Sequence, residues 1–113
     1  MHELSIVIDL IALCEENMKA NNAKEIEEVH IKIGRLSGVE AHLLKVAFDT
    51  FKKDSVCKNA KLVLNLQDVV VRCKECEKQS TLYKNEFLCP NCKSNTLEIL
   101  DGEDMYLMRL VMR

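Results

Sequence analysis

The chain has 113 residues, 48% of them hydrophobic and 30% charged, the make-up of one ordinary folded domain and not of a disordered or fibrous chain. A net charge of −2 and a pI near 5.9 argue against a strongly basic face for nucleic acid or anionic lipid. No run approaches the roughly 18 apolar residues of a membrane span, so no membrane partner is expected.

The amino-terminal stretch lacks a basic run and a small-residue cleavage site, and Asp9 interrupts its apolar residues. That pattern predicts a cytoplasmic protein without a signal peptide. Six cysteines in such a compartment read as metal ligands or core residues rather than disulfides.

The chain opens with Met1-His2-Glu3. The bulk of His2 favours retention of Met1, whose α-amine titrates near pH 8 and yields its proton to a metal at neutral pH. That amine, the His2 amide nitrogen and the His2 imidazole can close two fused chelate rings. Three nitrogens in one plane, completed by one more donor, suit Ni(II) or Cu(II) better than zinc. Glu3 offers a carboxylate or a further amide nitrogen.

Residues 3–20 follow as a predicted helix, with Leu4, Val7, Ile8, Ile11, Cys14 and Met18 at spacings of three and four. Ile6, Leu10 and Leu13 widen that stripe. Cys14 reads as a core residue. Asn21 and Asn22 mark a stop. A strand is expected over residues 25–33, with Val29, Ile31 and Ile33 on one face and His30 and Lys32 on the other. Residues 34–38 read as a turn.

A second helix is predicted over residues 39–53. Ser37 and Glu40 have the spacing of a capping box. Leu43, Leu44, Ala47, Phe48 and Phe51 would form its apolar face. Cys57 lies between this helix and the next strand and has no evident role. His30 and His42 share no ligand spacing and read as surface residues. Residues 60–67 read as a strand in which Leu62, Leu64 and Leu66 alternate with Lys61, Val63 and Asn65.

The cysteine module CKECEKQSTLYKNEFLCPNC occupies residues 73–92. Cys73 and Cys76 form one CxxC, Cys89 and Cys92 another, with twelve residues between the pairs. Two tight CxxC turns brought together by a hairpin supply four thiolates in a tetrahedron, the shell of a structural zinc. Leu82, Tyr83, Phe87 and Leu88 are too few to fold the module alone, so metal binding would supply folding energy. A dithiol redox motif would need only one CxxC. A rubredoxin-like iron site would also use four cysteines, but glycine is absent after both pairs, where Glu77 and Lys93 stand. Asp101-Gly102 is a turn, and residues 105–112 form a last apolar strand that returns to the first sheet.

In order, the start MHELSI, the strand VHIKIG, the segment RLSGVE, the helix segment AFDTF and the paired CxxC resemble the HypA/HybF family, nickel metallochaperones of nickel–iron hydrogenase maturation. The resemblance covers essentially the whole chain. It implies an α+β fold: a nickel-binding domain of two helices and a three-stranded mixed sheet, with a four-cysteine zinc-ribbon-like domain inserted before the last strand. The division would be 1–70 and 101–113 for the first domain and 71–100 for the insert.

The resemblance further implies that His2 ligates nickel, with Met1, Glu3 and also Glu40 as contributing groups, although the capping box explains Glu40 equally well. Cys73, Cys76, Cys89 and Cys92 would hold structural zinc. Where some members place histidines beside the CxxC pairs, this sequence has Glu77 and Lys93, so an all-cysteine shell is expected. Implied partners are a HypB-like GTPase, the hydrogenase large subunit and, for some members, urease accessory proteins. A monomer or weak dimer is expected. No nucleophile–base pair or phosphate-cradling glycine loop is visible, so no enzyme activity is expected. The alternative is a zinc-ribbon nucleic-acid-binding module, against which stand the acidic pI and the lack of a stacking aromatic set.

Overall fold

A computed structural model describes residues 3–113. Met1 and His2 lie outside the described residues. Helix α1 spans Glu3–Ala20 and strand β1 Ile26–Gly34. Helix α2 spans Ala41–Phe51 and runs into a short 3₁₀ turn, Lys52–Asp54. Strands β2 (Lys61–Gln67), β3 (Val69–Cys73), β4 (Gln79–Leu82), β5 (Leu97–Asp101) and β6 (Met105–Met112) complete the chain.

Two three-stranded sheets result, ordered β2-β1-β6 and β4-β3-β5. In the first, β1 is central, parallel to β2 and antiparallel to β6. The parallel pairing requires a crossover, and α2 provides it. The expected α+β architecture is therefore present: two helices, a mixed sheet, and a cysteine-bearing insert before the last strand.

The main core lies between the mixed sheet and the two helices. Val29, Ile31 and Ile33 of β1 are buried there with Val7, Leu10 and Cys14 of α1, Leu44 and Phe48 of α2, and Leu62 of β2. The β1 face expected from alternation is the buried one. Cys57, without an evident role in the sequence, is fully buried in the same core as Cys14, and the two thiols shift each other's titration. Cys57 and burial push the Cys14 thiol up, while Cys14 draws Cys57 down.

Three local expectations need correction. Leu4 and Ile8 are 46% and 55% exposed, because only one flank of α1 meets the sheet and α2. The buried stripe is Glu3, Val7, Leu10 and Cys14. Leu66, near the end of the edge strand β2, is 73% exposed.

The Ser37–Glu40 capping box does not form. Ser37 Oγ accepts from Val39 N–H at 3.2 Å, and Glu40 itself caps α2 through the His42 N–H at 3.3 Å. The helix starts two residues later than expected, and an Asx-like turn at Ser37 takes up the difference.

The Asn21-Asn22 stop has a definite mechanism. Asn22 adopts φ 52°, and Ala23 N–H reaches the Met18 carbonyl at 2.9 Å while Asn22 N–H reaches Lys19 at 3.2 Å. Two of the last helical carbonyls are satisfied in this way, with Asn tolerating the left-handed conformation.

The segments that lead into and out of the insert are tied to the main body at a tight seam. Gly34 N–H donates to Asp104 O, Arg35 N–H to Gln67 O and Leu36 N–H to Gly102 O, each at 2.9 Å. Side chains reinforce it: Lys32 Nζ sits 2.6 Å from Asp101 Oδ2. That contact, together with the Gly102 N–H, holds the Asp101 carboxyl below its usual range. Gly102 has φ 97°, a conformation that favours glycine.

Candidate metal sites

Two neighbourhoods were expected to bind metal, and they stand on different structural footing. The first is the cysteine cluster. β3 delivers Cys73 at its end, and a tight turn places Cys76 beside it. The second pair lies in the loop that returns to β5. The four Sγ atoms lie within 4.8 Å of one another. Cys73 and Cys92 are 3.5 Å apart, and Cys76 and Cys89 3.6 Å. A tetrahedron with Zn–S bonds of about 2.3 Å has S···S edges of about 3.8 Å, so the cluster fits a structural zinc. It is the only such cluster of metal-ligating side chains among the described residues.

The two knuckles share one hydrogen-bond plan. Glu77 N–H donates to Cys73 O at 2.9 Å, and Lys93 N–H to Cys89 O at 2.9 Å. Cys73 N–H reaches Lys78 O at 2.9 Å, and Cys89 N–H reaches Ser94 O at 2.8 Å. Cys76 N–H points at Cys73 Sγ (3.4 Å) and Cys92 N–H at Cys89 Sγ (3.5 Å). Backbone dipoles aimed at sulfur favour the thiolate over the thiol.

The Lys78 N–H, with the Asn91 side chain, draws the Cys76 thiol down to about 6. The Cys76 N–H likewise lowers Cys73. At Cys92 the Ser94 N–H pulls downward, but Cys73 and burial outweigh it and leave the thiol raised, at about 12. Metal-free, the four sulfurs cannot all carry charge at once; a divalent cation removes that conflict.

Glu77 and Lys93 adopt φ of 63° and 66°. These are the positions after each CxxC where the sequence lacks glycine. Both residues take the left-handed conformation that glycine would supply, so its absence does not count against an iron-type knuckle. The insert's own apolar core is only Val69, Val71 and Leu82, backed by Leu97 and Ile99. So small a core cannot hold three strands, which agrees with a metal-dependent fold.

The second neighbourhood is the amino terminus. His2 and Met1 lie outside the described residues, and Glu3 and Glu40 lie within them. Glu3 is only 7% exposed, unusual for a carboxylate, and its Oε2 receives the Glu40 N–H at 3.4 Å. Glu3 also stands in the first turn of α1, where negative charge is favoured. The structure thus brings Glu3 and Glu40 together, but each carboxylate already holds backbone: Glu3 the Glu40 amide, Glu40 the His42 amide. Sequence periodicity had no means of finding the Glu3–Glu40 contact, which spans 37 residues.

His30 and His42 join no metal cluster among the described residues; His30 Nε2 instead lies 2.7 Å from Glu28. A cleft of about 1120 Å³ is lined by Glu15, Met18, Lys53, Ser55, Asn59 and Arg113 among others. It sits at the opposite end of α1 from Glu3, and among the described residues none of the expected ligands lines it. No helix among the described residues is long and apolar enough to cross a membrane.

Comparisons with known proteins agree with this geometry. The family model described as "Hydrogenase/urease nickel incorporation, metallochaperone, hypA" matches residues 1–112. The hydrogenase maturation factor HypA of Campylobacter jejuni is 52% identical over 114 residues, covering all of both chains. That of Aquifex aeolicus is 43% identical, covering 97% of this chain and 96% of its own. The solution structure of the Ni metallochaperone HypA from Helicobacter pylori superposes with a TM-score of 0.71 at 39% identity, covering 99% of this chain and 97% of its own. The chain belongs to the HypA family of nickel metallochaperones.

Proposed function

We propose that the chain carries Ni(II) at its amino terminus and delivers it during maturation of nickel–iron hydrogenase. The observation that carries this reading is the family match from residue 1 to 112, which includes the MHE start and the paired CxxC together. In this reading the Met1 amine, the His2 amide and the His2 imidazole bind nickel. Glu3 contributes its backbone amide, because its carboxylate is committed to the Glu40 N–H. Glu40 supports the site through α2 rather than as a ligand.

Nickel is cargo here, so the site must release as well as bind. A ligand set built largely from chain-end backbone suits exchange better than a closed cage. The cysteine cluster has the opposite character. Cys73, Cys76, Cys89 and Cys92 would hold zinc in a closed shell, with no open position for chemistry, and zinc would supply the folding energy of the insert. We take residues 71–100 as that insert and 1–70 with 101–113 as the nickel-binding domain. The chain then acts without catalysis of its own, in the cytoplasm, as a monomer or weak dimer. Its partners would be a HypB-like GTPase and the hydrogenase large subunit; urease accessory proteins are a second destination. The whole-chain family match favours this reading over a zinc-ribbon nucleic-acid-binding module.

The test is a nickel titration of untagged protein with zinc analysis. Wild-type protein should bind one Ni(II) per chain beside one zinc. His2→Ala should lose nickel and keep zinc. Nickel binding unchanged in His2→Ala would reject the amino-terminal site.

A further inference from the structure

Arg35 is placed oddly for a cation. Its Nε is fully buried and has no hydrogen-bond partner among the described residues. Its Nη2 donates to the carbonyl of Lys84 at 3.0 Å, and Nη1 stands 3.7 Å from Asp68 Oδ1. Lys84 belongs to the loop between the two CxxC pairs, and Asp68 directly precedes β3. One side chain of the main body therefore grips both the root and the far loop of the insert. Burying a guanidinium nitrogen unpaired is costly, and an apolar residue would fill the same seam without that cost. A buried unsatisfied group calls for an explanation beyond packing.

The backbone supplies one. Arg35 begins the six-residue segment RLSGVE that ends at Glu40. The segment is pinned at its start by Arg35 N–H to Gln67 O and Leu36 N–H to Gly102 O, each at 2.9 Å. It is pinned at its end by Glu40 N–H to the Glu3 carboxylate at 3.4 Å. Only residues 37–39 lie between the two anchors, and Ser37 Oγ stiffens them by accepting from Val39 N–H at 3.2 Å.

A displacement of the insert that pulled on Lys84 or Asp68 would move Arg35. A strap this short has little slack to absorb it before Glu40 and Glu3 feel it. The second charged clasp of the seam, Lys32 with Asp101, also reaches this strap, because the neighbouring Gly102 carbonyl accepts from Leu36 N–H at 2.9 Å.

We propose that Arg35 is a positioning residue for nickel binding: it fixes the strap to the cysteine insert, so that the seating of the insert sets the geometry of the chain start at Glu3. This rests on the amino-terminal nickel reading above. The consequence is that nickel affinity depends on a contact between the insert and the body, and an accessory protein that shifts the insert would loosen nickel without touching its ligands.

The test compares untagged wild type, Arg35→Ala, Arg35→Lys, Glu25→Gln and His2→Ala. Each is assayed for zinc content, melting temperature and nickel affinity by competition with a chelator. Arg35→Ala is expected to keep one zinc per chain and to bind nickel roughly ten-fold or more weaker, within the usual range of coupling between sites. Arg35→Lys keeps the charge and loses the fork; it should fall between wild type and Arg35→Ala, and it serves where Arg35→Ala fails to fold. Glu25→Gln removes the ion pair with Arg113 at the opposite end of β1 from the strap; its melting temperature should drop while nickel affinity stays within about two-fold of wild type.

Nickel affinity of the folded Arg35 variants equal to wild type would overturn the proposal. So would equal losses in Arg35→Ala and Glu25→Gln, since loss of stability alone would then explain them. If His2→Ala also binds nickel normally, the amino-terminal site itself is wrong; if it does not, only the role of Arg35 fails.

Discussion

Gly34→Ala is the sharpest probe of the seam where the chain leaves the insert and re-enters the main body. An ideal Cβ at Gly34 would lie 2.4 Å from the Gly102 carbonyl oxygen, 2.5 Å from its carbon and 2.8 Å from the Asp104 carbonyl oxygen. Comfortable non-bonded contact begins near 3.5 Å, so the facing backbone must retreat by roughly 1 Å. All three atoms are main chain, and no rotamer change can relieve them. Both carbonyls are also acceptors, from Leu36 N–H and Gly34 N–H, each at 2.9 Å.

Overpacking costs about 1–3 kcal/mol, and stretching two hydrogen bonds adds about 1 kcal/mol. A loss of about 2–4 kcal/mol is expected from a total of about 5–15 kcal/mol. With an unfolding entropy of about 2.1 cal/mol/K per residue, the melting temperature should fall by roughly 8–16 °C. Thermal and urea unfolding of the zinc-loaded protein, followed by far-ultraviolet circular dichroism, measures this. A variant within about 0.5 kcal/mol of wild type would refute the close approach of the two glycines, and with it the rigidity claimed for the seam.

The other sites make smaller claims. Glu77→Gly and Lys93→Gly remove left-handed strain and should each stabilise the metal-loaded insert by roughly 0.5–1 kcal/mol; slower zinc release to a chelator checks this, and faster release contradicts it. Glu3→Gln keeps an acceptor for the Glu40 amide but loses its charge, so stability should change little while Glu3→Ala, which leaves that amide unpaired, costs about 1–2 kcal/mol in urea unfolding. Glu25 is held below its usual range by Asn59 and then by Arg113. A depressed carboxyl stabilises the fold above its unfolded pKa and loses that contribution as pH falls through the folded value. Glu25→Gln should therefore be less stable than wild type at pH 7, and the difference should close in acid, below the ordinary carboxylate range. A gap that persists or widens there would contradict the assignment.

Much of the fold was legible because periodicity carries strong signals where burial is one-sided. β1 alternates Val29, Ile31 and Ile33 against His30 and Lys32, and that face is the core. The paired CxxC was legible for a different reason, since ligand spacing reports chemistry directly. The misreadings share a cause. Leu4, Ile8 and Leu66 carry apolar side chains at regular spacing, yet they stay 46%, 55% and 73% exposed. Periodicity says which residues share a face and not how much of it a partner covers. The Ser37 capping box failed because two overlapping caps competed, and the Glu3–Glu40 tie decided where α2 begins. Arg35 was invisible because its partners, Asp68 and Lys84, are remote in sequence.

The central claim is that the chain start is itself the nickel site, and it can be tested by moving that start. One residue added before Met1 converts the α-amine into an amide and removes a donor, while leaving His2, α1 and the four cysteines unchanged. Nickel titration of this extended protein against the untagged chain, with zinc measured in both, is the direct measurement. Loss of nickel binding with one zinc per chain retained is the expected result. Unchanged nickel affinity in the extended protein would contradict the claim.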